Sequence, residues 1–178
     1  MTRCHCRIFR QANLALLTHL IHQTLCNVMA NQELIEQLKR HEGFRKNIYY
    51  CSRGRKTIGY GRNLDANPNF NGRPIGQPLS KELAEQILIA DIEAAEKKLA
   101  RAWAAFLKIE NNARRDAFVN MAFNLGVDGL LEFKKTLKHA ENGDWQKCAE
   151  EMFASEWAKQ VKKRATELTE QVATGRYK

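Results

Sequence analysis

Helical periodicity runs through more than half of this 178-residue chain and restricts the folds open to it more than any other feature. The longest helical stretch starts after Ser80, a good capping residue, and continues for several turns. Its apolar residues recur every three or four positions, at Leu83, Ile87, Leu88, Ile92, Ala95 and Leu99. We expect a helix long enough to join two lobes.

The next stretch, NARRDAFVNMAFNLG, is apolar around most of its circumference, which is typical of a buried helix. We expect it to be the central helix of a helical lobe and to stop at Gly126. Three amphipathic stretches follow and would complete that lobe: LLEFKKTLKHAENG, DWQKCAEEMFASEWAKQ and KKRATELTEQVATG.

The residues before Ser80 show short apolar runs between glycines instead. Asn31 can cap a first helix that Gly43 ends, and NIYYC, SRG and RKTIGYG then predict a strand, a turn and a return strand. Residues 62–79 are rich in Asn, Gly and Pro and predict a loop. We therefore expect an α+β protein, in which a long helix joins a small β-hairpin lobe to a larger helical lobe with a cleft between them.

Composition and charge place the chain among soluble globular proteins that are attracted to anionic partners. Apolar residues make up 44% and charged residues 28% of the chain, and the net charge is +9. This charge favours nucleic acid, an acidic membrane face or an anionic cell envelope. Because the acidic residues are interspersed with the basic ones, we expect no nucleic-acid partner. The five cysteines are odd in number and none of their spacings resembles a zinc site, so we expect no metal and no cofactor.

Residues 1–28 form an extension ahead of a domain expected to span residues 29–178. Three arginines without an acid precede a moderately apolar run, and the order of these segments resembles a signal peptide. The helical spacing of its apolar residues also fits an amphipathic helix lying on a membrane. A third reading is that translation starts at Met29, because MANQELIEQL looks like an ordinary beginning.

The segment HEGFRKNIYYCSRGRKTIGYG places one acid, one thiol and one threonine around the expected hairpin. Glu42 lies at the end of the first helix, where the helix dipole disfavours negative charge and therefore favours a proton donor. Cys51 and Thr57 follow on the hairpin. Gly59 and Gly61 leave open backbone that a ligand can approach closely.

These residues resemble the bacteriophage lysozyme, or endolysin, family (glycoside hydrolase family 24). The motifs HEGFR, TIGYG, ARRDAFVNMAFNLG and KKRATELTEQVATG match the family's pattern in order. The family's catalytic signature is an acid, then Asp or Cys, then Thr, and it falls here on Glu42, Cys51 and Thr57. The resemblance implies a lysozyme-like fold and cleavage of the β-1,4 bond between N-acetylmuramic acid and N-acetylglucosamine in peptidoglycan.

The resemblance also implies a role for each matched residue. Glu42 would be the general acid, and Thr57 would position the attacking water. Cys51 stands where Asp is commoner and would stabilise positive charge on the sugar, activate water or attack the sugar carbon. The remaining matched residues are Gly61, Phe123, Asn124 and Thr136, expected to contact the substrate, and Arg164, expected to contact Glu42.

The implied protein is a bacteriolytic enzyme that acts as a monomer on peptidoglycan and on the anionic cell envelope around it. It would stay in the host cytoplasm until its release to the cell wall, or be exported or membrane-tethered if residues 1–28 act as a signal. Three alternatives remain open for the function. The first is a lytic transglycosylase, which cleaves the same bond with a single acid. The second is a basic helical protein that binds nucleic acid, and the third is a carbohydrate-binding module without activity.

Overall fold

The computed structural model describes residues 32–51 and 54–178, so the expectations for residues 1–28 and for the Asn31 cap lie outside it. The helices are α1 (residues 32–42), α2 (Lys81–Ala102), α3 (Asn112–Leu125), α4 (Val127–Leu131), α5 (Lys134–Glu141), α6 (Trp145–Phe153), α7 (Glu156–Val161) and α8 (Lys163–Thr174), with a 3₁₀ turn over Ala104–Lys108. The strands are β1 (Arg45–Tyr50), β2 (Lys56–Gly59), β3 (Arg62–Asn63), β4 (Asn69–Phe70) and β5 (Arg73–Pro74). This confirms the predicted α+β fold. No helix within the described ranges is long and apolar enough to cross a membrane.

The small lobe is built on a three-stranded antiparallel sheet with the strand order β1-β2-β3. Tyr49 of β1 pairs with Thr57 of β2, which in turn pairs with Asn63 of β3. The prediction of one return strand through Gly61 is wrong at its end, because β2 stops at Gly59. These two glycines have φ of +86° and +66°, and this backbone conformation turns the chain back into β3.

Residues 62–79 contain more structure than the predicted loop, because β3 starts the segment and a second hairpin follows. β4 and β5 pair around Asn71 and Gly72, whose φ angles are 50° and 75°. Two consecutive residues with positive φ form the two-residue turn that matches the twist of paired strands. The Asn-Gly pair in the sequence is the signal for this turn.

The long helix α2 begins and packs largely as predicted. The side chain of Ser80 accepts a hydrogen bond of 3.1 Å from the backbone N–H of Leu83 and so caps the helix. The predicted apolar face is correct at its buried positions Ile87, Leu88, Ile92 and Leu99. It is wrong at Leu83, which is 37% exposed, whereas the neighbouring Ala84 is buried.

Two hydrophobic cores meet along α2, one in each lobe. The small core contains Ile58 and Leu79 of the β lobe together with Ala84 and Ile87 of α2. Farther along the helix, Leu88, Ile92 and Leu99 belong to the main core. Because a single helix contributes to both cores, it connects the lobes and leaves a cleft beside it.

The helix α3 runs through the main core, as its apolar pattern predicts. It starts at Asn111, whose side chain accepts a hydrogen bond from the backbone N–H of Arg114, and it ends at Gly126. Ala117, Phe118 and Val119 are fully buried within it. The helices α1 and α8 contribute buried leucines to the same core, so the first helix of the described chain belongs to the helical lobe.

The stretch predicted as one helix after Asp144 is in fact two, α6 and α7. Ser155 separates them, with φ of −75° and ψ of 157°. Its hydroxyl donates to the carbonyl of Met152 (2.7 Å) and accepts from the backbone N–H of Ala158 (3.2 Å). This serine ends one helix and caps the next. Its side chain bonds backbone groups that would otherwise pair within a continuous helix.

Asp116 gives a prediction for the pH dependence of stability. Its side chain is buried in α3 and accepts a 2.6 Å hydrogen bond from the Tyr177 hydroxyl. Burial raises the pKa of Asp116 to about 7, although the bond from Tyr177 acts in the opposite direction. The stability that this group contributes is therefore fully present below about pH 4 and is lost as the pH rises through about 7.

We expect Asp116→Asn to remove that part of the pH dependence, because the amide cannot ionise. Urea unfolding between about pH 4 and about pH 8 should give a flatter free-energy profile for the variant than for the wild type. Asp128→Asn, at an exposed carboxyl, is the matched control and should follow the wild type. Parallel profiles for Asp116→Asn and the wild type would contradict the burial argument.

Candidate active site

A cavity of about 500 Å³ lies between the β lobe and the helical lobe. One side consists of α1 and β-lobe residues: Glu42, Tyr49, Cys51, Arg55, Thr57, Gly61 and Asn63. The other side consists of residues at the ends of α3 and α7: Phe123, Asn124, Leu125, Gly126, Gln160 and Val161. The fold therefore brings the predicted acid, thiol and hydroxyl to one cavity, opposite two of the predicted substrate contacts.

Glu42 is the last residue of α1 and has a specific cationic partner. Its Oε1 accepts a 2.6 Å hydrogen bond from Nη2 of Arg164, near the start of α8. The two side chains are 21% and 8% exposed, so this ion pair is largely shielded from water and is stronger than a surface pair. Oε2 lies close to Gly61, where an added Cβ would come within 3.2 Å of it. The carboxyl is thus bound by Arg164 on one side and has room on the other side only because Gly61 has no side chain.

A buried polar network behind Glu42 joins α1, α3 and α8. The amide of Gln37 donates to Glu167 (2.8 Å) and to Gln171 (2.7 Å), and Asn120 donates to the carbonyl oxygen of Gln37 (2.8 Å). His41 lies 3.0 Å from Glu167 and 3.2 Å from Asn120. This network fixes the three helices against each other within one turn of the Glu42–Arg164 pair.

Glu167 is the one carboxylate of this network. Burial would raise its pKa, but hydrogen bonds from Gln37, His41 and Arg40 outweigh that effect and lower the pKa. Sequence reasoning missed these residues. The signal that could have found them is a polar residue on an otherwise apolar helix face, as at Gln37 and Asn120.

The floor of the cavity lies where β1 ends and β2 begins. The carbonyl of Arg55 accepts hydrogen bonds from the Thr57 hydroxyl (2.9 Å) and from the backbone N–H of Cys51 (3.1 Å). Because Thr57 donates its proton to this carbonyl, its oxygen lone pairs are left to accept a hydrogen bond from a ligand. Cys51 is half-buried at the end of β1, where it lines the cavity.

Tyr49 is a cavity residue that the sequence did not single out. Burial raises its pKa, and the nearby charges of Glu42 and Cys51 raise it further, against the effect of Arg45. Its hydroxyl therefore stays protonated at neutral pH and is a hydrogen-bond donor beside the acid.

The far wall of the cavity is held by a buried tryptophan. Asn124 Oδ1 accepts a 2.8 Å hydrogen bond from the indole N–H of Trp157, which is 4% exposed and packs edge-on against Phe133. Trp157 is therefore a core residue that orients a cavity residue. Thr136 is buried in α5 at 2% exposure and is not among the described lining residues of the cavity, so its expected substrate contact stays a prediction.

An ion pair fixes the β lobe to α2 next to the cavity. Arg62 pairs with Asp91 of α2 and also donates to the carbonyls of Asn67 (3.1 Å) and Asn69 (2.9 Å). Burial raises the pKa of Asp91, and the charge of Arg62 opposes this rise. The turn that carries Gly61 is therefore anchored immediately after that glycine. No group of three or more potential metal ligands occurs among the described residues.

A second cavity, of about 530 Å³, is lined by Arg40, Lys163, Thr166, Glu167 and Lys178. Its one described carboxylate, Glu167, is already bound by Gln37, Arg40 and His41. This second cavity contains none of the predicted acid, thiol and hydroxyl, whereas the first contains Glu42, Cys51 and Thr57, so the first is the candidate active site.

Comparison with known proteins agrees with this geometry. A sequence model of the family described as phage lysozyme matches residues 39–173. The chain belongs to the phage lysozyme family. The matched region includes Glu42, Cys51, Thr57 and Arg164, so the whole cavity lies within the part that defines the family.

Individual relatives of this phage lysozyme family member occur in different settings. Probable T4-type lysozyme 1 of Dictyostelium discoideum is 28% identical over 158 residues, which cover 79% of this chain and 93% of the relative. The endolysin of Acyrthosiphon pisum secondary endosymbiont phage 1 is 29% identical over 123 residues, covering 68% and 75%. The pre-baseplate central spike protein Gp5 of Enterobacteria phage T4 is 30% identical over 166 residues. These cover 82% of this chain but 28% of the spike protein, so there the match is one part of a longer chain.

Gly61 gives a prediction about the position of the acid. Gly61→Ala would place a Cβ 3.2 Å from Glu42 Oε2 at a φ of +86°, so we expect the carboxyl to move and activity to fall at least about tenfold. Gly72→Ala is the matched control, since its φ is +75° but no atom lies within 4 Å of the added Cβ.

Two measurements separate displacement of the Glu42 carboxyl from general loss of stability: clearance of peptidoglycan turbidity and thermal unfolding. Both variants should lose similar stability from the strained backbone, on the order of 1 kcal/mol, but only Gly61→Ala should lose activity beyond that. Equal activity of the two variants would show that the contact with Glu42 is unimportant.

Proposed function

We propose that this chain is an endolysin that hydrolyses the β-1,4 bond between N-acetylmuramic acid and N-acetylglucosamine in bacterial peptidoglycan. As a member of the phage lysozyme family it is a glycoside hydrolase. The observation that carries the proposal is the placement of Glu42 at a cavity between two lobes, facing a floor that contains Cys51 and Thr57. The names of two relatives, endolysin and T4-type lysozyme, support the same function.

In the proposed reaction, Glu42 donates its proton to the glycosidic oxygen as the bond to the sugar carbon breaks. Arg164 holds the carboxylate that remains, so the leaving proton does not create an unpaired buried charge. A water that donates a hydrogen bond to Thr57 attacks the sugar carbon. The Cys51 thiolate takes the water's proton, or it stabilises the positive charge while the proton passes to solvent water. Water attack from the opposite face would invert the configuration of the sugar carbon.

The acid is tested by Glu42→Gln, which keeps the shape and the acceptor for Arg164 but has no transferable proton. We expect a loss of roughly 10²–10⁴-fold in the rate of peptidoglycan clearance, with little change in thermal stability. Glu132→Gln, an exposed glutamate on the helical lobe, is the matched control and should retain full activity. If Glu42→Gln clears peptidoglycan at more than about a tenth of the wild-type rate, Glu42 is not the general acid.

The role of Cys51 is tested by a pair of substitutions. Cys51→Asp should stay active because it supplies a carboxylate at the same position, whereas Cys51→Ala should lose about 10²-fold or more because no anion remains on the floor. The measurement is the rate of peptidoglycan clearance by each variant. Wild-type activity in Cys51→Ala would show that Cys51 only packs and takes no part in catalysis.

A thiol-modifying reagent should also inhibit the wild type through Cys51. Cys148 provides the internal control, because it is fully buried and burial raises its pKa to about 12. Its thiol is therefore protonated and shielded, and Cys148→Ser should leave the inhibition unchanged.

One observation favours a second candidate, a lytic transglycosylase. Among the described residues of the cavity, Glu42 is the single carboxylate, and a transglycosylase needs only one acid. Product analysis distinguishes the two reactions, since hydrolysis leaves a reducing end on the muramic acid and transglycosylation leaves an anhydro end. Reducing ends support the hydrolase.

We further propose that the protein acts as a monomer and that its net charge of +9 draws it to the anionic cell envelope. It would remain in the host cytoplasm until it reaches the cell wall. Fractionation of the full chain and of a form starting at Met29 tests whether residues 1–28 change that location. Nucleic-acid binding has no support from the cavity and stays an alternative that a salt-dependent gel shift would detect.

A further inference from the structure

The net charge of the chain is concentrated in the β lobe. Between Gly43 and Ser80 the sequence has seven arginines and lysines and one acid, which give a net charge of +6 out of the total of +9. Residues 81–178, in contrast, have 17 basic and 16 acidic residues and a net charge of +1. Charges of opposite sign are therefore interspersed along the helical lobe but not along the β lobe, so the β lobe presents a positive field to solvent.

Two large apolar side chains of β1 lie exposed within this positive field. Tyr50 is 67% exposed and Ile48 is 37% exposed. Tyr49, between them, lines the cavity, and successive side chains of a strand point to opposite faces, so Tyr50 lies on the face of the sheet away from the cavity. Lys56 is the pairing partner of Tyr50 on β2 and stands beside its ring, and Lys46 is exposed earlier on β1. We call Lys46, Ile48, Tyr50 and Lys56 the outer patch.

The backbone edge of β1 beside the outer patch is already occupied. The carbonyl of Lys46 accepts a 2.7 Å hydrogen bond from the backbone N–H of Leu79, and the backbone N–H of Ile48 donates to Oε1 of Gln77 (3.0 Å). A partner that adds a β-strand to a sheet needs a free edge. The partner of the outer patch must therefore be bound by side chains, that is, by two ammonium groups and two apolar groups.

This combination of groups fits the boundary of an anionic membrane. A tyrosine at such a boundary places its ring near the acyl chains and its hydroxyl among the headgroups. Lysines beside it are attracted by the phosphates of anionic lipids. A soluble polyanion such as nucleic acid would use the two lysines but would give Ile48 no apolar phase to enter, so the observations favour a lipid surface.

We propose that the outer patch is a docking surface for a membrane that contains anionic phospholipids. The lysines bind the headgroups, and Tyr50 and Ile48 enter the interface between headgroups and acyl chains. Because Tyr50 points away from the cavity, the docked protein keeps Glu42 accessible. This inference concerns one defined face of the β lobe rather than the overall attraction of a basic protein to the cell envelope, and it does not depend on which bond the cavity cleaves.

Binding is measured by co-sedimentation of the full chain with two kinds of vesicle, phosphatidylcholine alone and phosphatidylcholine mixed equally with phosphatidylglycerol. Wild-type protein should bind the mixed vesicles at least about tenfold more tightly, and added salt should weaken this binding. The double variant Lys46→Gln, Lys56→Gln should lose about tenfold in affinity for the mixed vesicles, and Tyr50→Ser should lose about three- to tenfold. Every protein in the comparison carries residues 1–28, so any contribution of that extension is common to all of them.

Matched controls remove the same groups from the helical lobe. Phe153→Ser replaces an aromatic side chain that is 57% exposed, and the double variant Lys108→Gln, Lys135→Gln removes two exposed lysines. Both controls should bind the mixed vesicles within about twofold of the wild type, because the charges around them are balanced. Thermal unfolding of all four variants should match the wild type, since the replaced side chains are exposed.

Inorganic polyphosphate, a polyanion without an apolar phase, distinguishes lipid docking from attraction to charge alone. Tyr50→Ser should bind polyphosphate as the wild type does, although it binds the mixed vesicles more weakly. Equal weakening on polyphosphate and on the mixed vesicles would make the outer patch a polyanion site and overturn the inference. Wild-type affinity of Tyr50→Ser for the mixed vesicles, or equal losses in the two double lysine variants, would overturn it as well.

Discussion

The contact between α1 and α8 is the constraint on which the cavity depends. Glu42 at the end of α1 meets Arg164 at the start of α8, and one turn farther along Glu167 meets both Arg40 and His41. The charges alternate, so each helix supplies a cation and an anion to the other. A slip of α8 by one residue would break both sets of bonds together, which makes the position of the acid an all-or-none property of this packing.

The polar network behind the acid raises the cost of any such slip. Gln37, Asn120 and Gln171 are at most 1% exposed and satisfy one another across three helices. A buried amide that loses its hydrogen-bond partner costs about 1–3 kcal/mol of stability. Movement of α8 would leave several buried amides without partners. Apolar side chains at these positions would tolerate sliding, because dispersion contacts have little directional preference. The buried hydrogen bonds thus select one arrangement of α1, α3 and α8 directly behind Glu42, the proposed acid.

The sequence predicted the parts of this structure that depend on neighbouring residues. Ser80 marks the start of α2 and the apolar pattern of α3 marks a buried helix, because caps and helical faces involve residues within a few positions. The predicted end of β2 was wrong because the alternating glycines Gly59 and Gly61 fit one face of a strand as well as a turn. Only their φ angles distinguish the two conformations. The Asn71-Gly72 turn carried a clear signal that was obscured by the other Asn, Gly and Pro residues around it. A polar residue on an apolar helix face marked Gln37 and Asn120, but the pairing of the network could not be predicted, since Gln37 and Gln171 lie 134 positions apart and no local pattern links them.

The separation of Glu42 from Arg164 by 122 positions also has a consequence for how the protein is made. Among the described elements, α1 leaves the ribosome before the others but packs with the helices that follow the β lobe, and α8 is the last of these helices. Until α8 emerges, the buried leucines of α1 and the side chain of Gln37 have no complete site to enter. Synthesis of nearly the whole domain must therefore precede the closing of the helical lobe, and a nascent chain that already carries Glu42 lacks the cavity proposed for catalysis. The order of elements along the chain thereby delays activity until translation has passed α8.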